Sequence, residues 1–182
     1  MFKENRAVFF DRDGVLNKVI IQNGKRYPPA NLGEVVIFPN AGSTLFSLEE
    51  EGFFLIGITN QPDVARGKQN RKIVESINDF LLCRLPLKEI FVCYHDDVDN
   101  CNCRKPKPDL ILQAAKKYKI NLAQSYMIGD RWKDIVAGKQ AGCKTIFIGN
   151  EYDKSPVNLK PDYSVNNISE IIKIIIPDWR GK

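Results

Sequence analysis

Two aspartates one residue apart, Asp11 and Asp13, follow an apolar run near the start of the chain. The run, residues 7–10, is short and wholly apolar, which is typical of a buried strand. Acids placed after such a strand lie at its carboxyl end, where open α/β sheets build their ligand sites. Gly14 then allows the chain to turn away from both acids. Taken alone, such residues more commonly form a solvated Asp-Gly turn than a catalytic pair.

Three further segments at the ends of predicted strands supply groups with which such acids could do chemistry. They are a hydroxyl with two amides at Thr59-Asn60-Gln61, a cationic pair at Arg104-Lys105, and a second acid pair, Asp130 and Asp134. Facing carboxylates repel unless a cation lies between them, and hard oxygen ligands suit Mg²⁺. A metal ion, a carboxylate nucleophile and a lysine can transfer a phosphoryl group, because that reaction depends on positioning and charge stabilisation.

In this order and spacing, the four segments resemble the motifs of the haloacid dehalogenase superfamily of aspartyl-phosphate phosphatases. The resemblance extends from Val8 to about Ile148, and the ordered set is far more specific than any one segment. It implies that Asp11 attacks phosphorus and forms a covalent aspartyl-phosphate. Asp13 would protonate the leaving oxygen and then activate the water that hydrolyses the intermediate.

The resemblance also assigns the groups that bind the phosphoryl oxygens. Thr59 and the backbone amide of Asn60 would donate hydrogen bonds to them, and Lys105 would neutralise charge on the nucleophile and the phosphate. A helix cap or a turn is the alternative role for the Thr-Asn pair.

By the same resemblance, Mg²⁺ would be held by Asp11, Asp130 and the main-chain carbonyl of Asp13. Two roles stay open for Asp134. It could orient the water shell of the metal, or it could be a first-turn acid that complements the helix dipole.

The only histidine of the chain falls among three of its five cysteines, within eleven residues. The four residues are Cys93, His95, Cys101 and Cys103, the ligand set of a closed tetrahedral zinc site. Their spacings, Cys-x-His and Cys-x-Cys, differ from those of the usual zinc knuckles. Such a cluster is improbable by chance, so we predict a structural zinc. The alternative, a disulfide from Cys103 to Cys93 or Cys101, is disfavoured in a reducing cytosol.

Zinc would turn residues 93–103 into a rigid hook that presents Arg104 and Lys105 to the phosphate site. This hook, with Cys-Arg-Lys-Pro after it, resembles the branch of histidinol-phosphate phosphatases and D,D-heptose 1,7-bisphosphate phosphatases. The resemblance implies that Arg104 helps to recognise a sugar and that the Thr-Asn-Gln segment, including Gln61, contacts substrate. Residues 64–67, Val-Ala-Arg-Gly, match the Ile-Ala-Arg-Gly of the heptose enzymes.

The expected activity is therefore a Mg²⁺-dependent phosphatase acting at the 7-phosphate of D-glycero-D-manno-heptose 1,7-bisphosphate. The second phosphate of that substrate would account for surplus cations, which are Arg66, Arg104, Lys107 and Arg131.

Three alternatives are weighed against this activity. The short span from His95 to Cys101 and the acids at 96, 97 and 99, which could bind a cationic amine, favour a histidinol-phosphate phosphatase. A nucleic-acid end phosphatase would need a basic stripe with stacking aromatics, and none is clear in the sequence. A non-enzymatic, zinc-stabilised binding module would leave a complete catalytic set unused.

Strands alternate with helices along the chain, which predicts parallel pairing and a three-layer, doubly wound, Rossmann-like α/β fold. Strands are predicted at residues 7–10, 53–59, 89–94, 125–129 and 144–148, with a short one near 163–165. Helices are predicted at residues 41–51, 70–84, 108–118, 132–141 and 168–176, the last ended by Pro177.

The spacing of the motifs leaves no room for an inserted cap domain. Only 48 positions separate Asp11 from Thr59, and 46 separate Thr59 from Lys105. An open site with walls made by local loops is therefore expected. Residues 22–29 carry two cations and an aromatic ring, and they form either a solvated hairpin tip or a contact to substrate.

Length and composition agree with a single domain over residues 1–182. A chain of 182 residues with 43% hydrophobic content can bury one good core. No N-terminal signal and no apolar run near ~20 residues is visible, so we expect a cytoplasmic monomer without membrane contact. The formal charge of +5 suits a small phosphorylated sugar, and no nucleic-acid partner is expected.

A few predictions concern packing alone. Cys83 and Cys143 lie in apolar surroundings and are expected to be buried small hydrophobes. Trp132 and Trp179 are expected to pack, and residues 152–161 are predicted to be a mobile loop.

Overall fold

The computed structural model describes residues 5–149 and 160–180, without the side chains of residues 179 and 180. The described strands are β1 Ala7–Phe10, β2 Ile20–Gln22, β3 Lys25–Tyr27, β4 Phe54–Asn60, β5 Glu89–Cys93, β6 Tyr126–Gly129, β7 Lys144–Ile148 and β8 Tyr163–Val165. The described α-helices are α1 Ala41–Glu50, α2 Arg71–Arg84, α3 Asp109–Tyr118, α4 Trp132–Ala141 and α5 Ile172–Arg180. Most of the predicted loop at 152–161 and the packing of Trp179 lie outside the described residues.

A six-stranded parallel sheet has the order β5-β4-β1-β6-β7-β8. Strands β4 and β5 therefore lie on one side of β1, and β6, β7 and β8 lie on the other. This reversal of strand order makes the carboxyl end of β1 a topological switch point. Ligand sites of open α/β sheets form at such a point. The predicted doubly wound parallel fold is confirmed.

Strand β1 is apolar along its whole length because it is covered on both faces. Val8 and Phe10 pack in one core with residues from α1, α2 and α5. Ala7 and Phe9 pack in a second core with residues from α3 and α4. The sheet is thus the middle of three layers. The polar residues that follow β1 lie at the edge of the sheet where the strands have their carboxyl ends.

Helix α4 lies very close to the sheet, which brings its first turn to the edge where β6 ends. A Cβ atom added to Gly138 would come within 2.6 Å of the Met127 Cβ and 2.8 Å of the Thr145 Cγ2. Only glycine permits this approach.

The hairpin of β2 and β3 pairs antiparallel, with Gln22 opposite Lys25. It occupies part of the interval between β1 and β4, together with a 3-10 turn at Leu32–Glu34 and α1. These short elements agree with the predicted capless architecture. Within the described ranges, no helix is both long and apolar enough to cross a membrane.

One packing prediction is wrong. Cys83 is exposed, because the buried side of α2 carries Val74, Ile77, Asn78 and Leu81, and position 83 faces away from it. Cys143 is buried as expected.

The last helix does not end before Pro177. It begins as a 3-10 turn at Ile168–Ile171 and continues as α5 to Arg180. Lys173, four residues before the proline, is exposed, so water can satisfy the carbonyl that Pro177 cannot bond.

Candidate active site

The predicted catalytic and substrate-contacting residues converge on one cavity of about 440 Å³ at the carboxyl ends of the central strands, whereas Asp130 and the four predicted zinc ligands lie outside its lining. The predicted residues that line it are Asp11, Asp13, Thr59, Asn60, Gln61, Arg66, Arg104, Lys105 and Arg131. The wall as a whole contains seven basic and four acidic side chains, so it suits an anionic ligand.

Lys105 lies buried between two carboxylates. Its Nζ donates to Asp11 Oδ1 at 2.7 Å and to the carbonyl of Ile58 at 2.8 Å, and it lies 2.6 Å from Asp134 Oδ1. Burial alone would lower the pKa of Lys105, but attraction to Asp11 and Asp134 outweighs it and raises the pKa. Lys105 is therefore a fixed positive charge beside the predicted nucleophile.

Asn60 holds Lys105 in place through the backbone. Its Oδ1 accepts from the Lys105 amide at 3.1 Å, and its Nδ2 donates to the Lys105 carbonyl at 3.0 Å. The end of β4 is thereby tied to the loop that carries the lysine. The sequence pointed to the Asn60 amide, and this positioning role of its side chain was missed.

Three buried carboxylates meet at the cavity, two of them, Asp11 and Asp134, in its lining. Oxygens of Asp11, Asp130 and Asp134 lie within 4.8 Å of one another. Burial raises the pKa of Asp11 to about 7, an effect that Lys105 opposes and the other two carboxylates reinforce. Burial, with the charge of Asp134, also raises the pKa of Asp130 to about 6. A divalent cation would relieve this repulsion.

The donor set and one orphaned atom fit Mg²⁺. All three side chains offer hard oxygen ligands. Asp130 Oδ1 is buried and has no hydrogen-bond partner, whereas Asp130 Oδ2 pairs with Arg26. An unsatisfied carboxylate oxygen inside a carboxylate cluster is costly unless a ligand completes it.

The structure shows that Asp134 is a first-turn acid of α4, whereas its role toward the water shell of a metal stays a prediction. It caps the first turn of α4, since its Oδ2 accepts from the Arg131 amide at 3.0 Å. It is also 2% exposed and paired with Lys105, so it belongs to the charged cluster and is not a solvated cap alone.

Arg26 is a site residue that the sequence did not single out by itself. It lies on β3, and its guanidinium reaches Asp130 while its neighbour Tyr27 lines the cavity. The only available signal was the pair of cations within residues 22–29. This hairpin is therefore a wall of the site.

Asp13 is surrounded by donors. Its Oδ2 accepts from Arg12 Nη2 at 2.8 Å, Arg12 Nε at 3.1 Å and Gln61 Nε2 at 2.7 Å. Its Oδ1 accepts from Asn17 Nδ2 at 2.9 Å. The carboxylate is therefore held in one orientation.

Gln61 also fixes Thr59. The same Nε2 that reaches Asp13 donates to Thr59 Oγ1 at 2.9 Å. Because this hydroxyl accepts from Gln61, its own hydrogen can point to a ligand in the cavity. Gln61 is 2% exposed and lines the cavity, so its predicted contact with substrate stays a prediction.

Two arginines at the rim are paired with consecutive acids of the hook. Arg66 Nε donates to Asp96 Oδ2 at 2.7 Å, and Arg104 Nε donates to Asp97 Oδ1 at 2.7 Å. The hook therefore positions cations from two different loops over the same cavity.

The four residues of the predicted zinc site are together, within 4.8 Å. Cys103 Sγ lies 3.2 Å from Cys93 Sγ, 3.5 Å from Cys101 Sγ and 3.3 Å from His95 Nδ1. Ligands of a tetrahedral zinc lie about 3.8 Å apart, close to these separations. The cysteines are free, and the sulfurs are too far apart for the disulfide alternative.

Known proteins resemble this chain in sequence. A family model described as HAD-hydrolase-like matches residues 102–171. The D-glycero-beta-D-manno-heptose-1,7-bisphosphate 7-phosphatase of Helicobacter pylori J99 is 38% identical over 151 residues, covering 79% of this chain and 83% of that protein. The D-glycero-alpha-D-manno-heptose-1,7-bisphosphate 7-phosphatase of Photorhabdus laumondii is 32% identical over 184 residues, covering 93% and 96%.

A solved structure supports the same fold. The D,D-heptose 1,7-bisphosphate phosphatase of B. bronchiseptica, complexed with magnesium and phosphate, superposes with a TM-score of 0.78 at 22% identity. The match covers 95% of this chain and 99% of that one.

Proposed function

Because the chain belongs to the HAD-like family of the D-glycero-D-manno-heptose-1,7-bisphosphate 7-phosphatases, we propose that it hydrolyses the 7-phosphate of that sugar bisphosphate. The observation that carries the proposal is the buried contact of Lys105 with Asp11 and Asp134 beneath a cation-rich cavity. The contact supports the proposal because it sets a fixed positive charge between the proposed nucleophile, Asp11, and a second buried acid, Asp134.

Asp11 is the proposed nucleophile. Its carboxylate attacks phosphorus, the bond from phosphorus to the sugar oxygen breaks, and an aspartyl-phosphate forms on Asp11. Lys105, 2.7 Å away, stabilises the negative charge that passes between carboxylate and phosphoryl oxygens. The Thr59 hydroxyl and the Asn60 amide donate to those oxygens.

Asp13 is the proposed general acid and base. It gives a proton to the departing sugar oxygen, then takes one from the water that attacks the aspartyl-phosphate and restores free Asp11. Its donors hold the carboxylate without blocking the cavity, which Asp13 itself lines.

Mg²⁺ fits the carboxylate cluster, with Asp11, Asp130 and the main-chain carbonyl of Asp13 as ligands. When bound, it neutralises charge on the phosphoryl group and its attacking carboxylate. The unsatisfied Asp130 Oδ1 and the magnesium bound by the B. bronchiseptica protein support this assignment.

Zinc is the proposed ion of the hook, held by Cys93, His95, Cys101 and Cys103. All four positions would be filled by protein, so its role is structural. When bound, it would fix the acids at 96 and 97, which pair with Arg66 and Arg104.

The second phosphate of the substrate accounts for the rim cations, with Arg66, Arg104 and Arg131 as proposed contacts. The same pairings disfavour histidinol phosphate. Asp96 and Asp97 are each neutralised by an arginine, and Asp99 accepts from the Asp96 amide. Because the cavity wall as a whole has seven basic and four acidic side chains, it favours a second phosphate over a cationic amine.

Phosphate release with Mg²⁺ tests the proposal on both heptose 1,7-bisphosphate anomers, histidinol phosphate, fructose 1,6-bisphosphate and a 3′-phosphorylated oligonucleotide. We expect a large preference for a heptose bisphosphate, with release of one phosphate. Replacing the nucleophile, Asp11→Asn, should lower turnover by more than about a thousandfold. The exposed Asp79→Asn on α2 is the control and should keep full activity.

A preference for histidinol phosphate or the oligonucleotide would overturn the proposed substrate assignment. Full turnover by Asp11→Asn would overturn the mechanism, and a non-enzymatic binding module would then be the better description.

A further inference from the structure

Arg12 lies between the two proposed catalytic acids in the sequence, yet it has no role in the mechanism above. Its side chain is fully buried, and it is the largest such side chain among the described residues. Asp11 and Asp13 line the cavity whereas Arg12 does not, so it cannot contact substrate there. A buried guanidinium is costly unless its charge and its donors are paired.

The partners of Arg12 lie on opposite sides of its guanidinium. Nε and Nη2 donate to the same oxygen, Asp13 Oδ2, at 3.1 and 2.8 Å. Nη1 donates to Asn78 Oδ1 at 2.8 Å. Asn78 lies on the buried side of α2, 66 positions along the chain, and is 6% exposed. The rigid fork of arginine thus links the loop after β1 to a helix.

We propose that Arg12, anchored by Asn78, is a positioning residue that fixes the Asp13 carboxylate for proton transfer. This inference rests on the proposed role of Asp13 as general acid and base. Asp13 Oδ2 accepts three contacts, two from Arg12 and one from Gln61. Oδ1 accepts one, from Asn17. The arrangement therefore leaves Oδ1 as the oxygen that exchanges the proton with the substrate.

The planar guanidinium is needed for this role. Lysine would carry the charge but could not present two donors to Asp13 and a third to Asn78 in one fixed plane. Asn78 supplies a neutral acceptor, so the positive charge of Arg12 is balanced by Asp13. Loss of either side chain should let Asp13 rotate.

Leaving-group dependence tests the proposal. A sugar oxygen is a poor leaving group and needs a proton from Asp13, whereas p-nitrophenolate leaves without one. We measure kcat/KM with Mg²⁺, because it reports the steps up to formation of the aspartyl-phosphate. Arg12→Lys and Asn78→Ala are expected to lose about 10- to 100-fold on the sugar bisphosphate. On p-nitrophenyl phosphate, they should lose less than about threefold.

Two further variants serve as controls. Asn78→Gln keeps a neutral amide acceptor for Arg12 and should restore most of the sugar-phosphate activity. Ser76→Ala, on the exposed side of the same helix, should change neither substrate. Melting temperatures establish that each variant is folded, and Asn78→Ala keeps the test valid if substitution of the buried Arg12 prevents folding.

Equal losses on both substrates, or none, would overturn the role of Arg12. Asp13→Asn separates this failure from failure of the proposed function. If Asp13→Asn selectively loses sugar-phosphate activity while the Arg12 and Asn78 variants do not, only the positioning role is wrong. If Asp13→Asn shows no such selectivity, the general-acid assignment itself is wrong.

Discussion

At the scale of single residues, Lys105 is the buried positive charge that balances the carboxylates of the site. Its ammonium group pairs with both Asp11 and Asp134. Because Lys105 is buried, little water could solvate these carboxylates if the lysine were removed. Removing one member of a buried ionic group leaves the others unpaired, which costs far more than loss of a surface pair. This residue therefore bears on stability as well as on catalysis.

Lys105→Met should lower the free energy of unfolding by about 3 to 5 kcal/mol, because two buried carboxylates lose their cation. Urea unfolding at pH 8 without added metal measures it, because in the original chain this pH lies above the Asp11 pKa of about 7. Activity should also be lost.

The control for this substitution is Lys117→Met. Lys117 pairs with Glu89 at the surface, so its loss should cost less than about 1 kcal/mol. A Lys105→Met variant as stable as the control would show that the buried triad does not stabilise the fold.

At the scale of elements, the segment from Cys93 to Cys103 joins the metal cluster to the cavity rim. It is polar and acidic, and its 3-10 turn at Asp97–Asp99 contains three residues. Val98 within it is 87% exposed, so apolar packing contributes little to the order of the turn. Besides the pairs of Asp96 and Asp97 with arginines, the four clustered ligands can hold it, as the proposed zinc requires.

Purified protein should therefore contain close to one zinc per chain, and Cys103→Ser should contain almost none. The variant should also melt several degrees lower, since 1 kcal/mol corresponds to about 2–4 °C for a chain of this size. Metal analysis and thermal unfolding measure the two effects.

Cys83→Ser is the matched control, because this exposed thiol lies outside the cluster. Its zinc content and melting temperature should equal those of the original chain. A metal-free original chain that is folded and active would contradict the structural role of zinc.

At the scale of the whole molecule, the protein has an open site and a positive net charge. The formal net charge is +5, and the cavity wall is itself richer in basic than in acidic side chains. Fields of this kind raise the encounter rate of oppositely charged ligands and are screened by salt. A substrate with two phosphates should feel the field more than one with a single phosphate.

We expect kcat/KM for the heptose bisphosphate to fall about tenfold as KCl rises from roughly 20 mM to roughly 500 mM. A sugar monophosphate should show a clearly smaller decrease, because it carries half the phosphate charge. Steady-state kinetics at several salt concentrations measures both slopes. Parallel slopes would mean that the rim cations do not attract the second phosphate.

Local sequence patterns alone predicted the principal strands and many of the site residues. Apolar runs, helix caps and glycines place the principal strands within about a residue of their observed ends, because these signals act over a few positions. The acids after β1, the hydroxyl and amides at the end of β4, and the Cys/His cluster were all identifiable by residue type and spacing.

The partners of those residues were decided only by the tertiary structure. Lys105 meets Asp11 across 94 positions, Arg26 meets Asp130 across 104, and Arg12 meets Asn78 across 66. No local periodicity encodes such contacts, since they depend on which strands become neighbours and how closely α2, α4 and the hairpin pack. The sequence by itself thus determined the chemistry that is available, and the packing decided which groups act together.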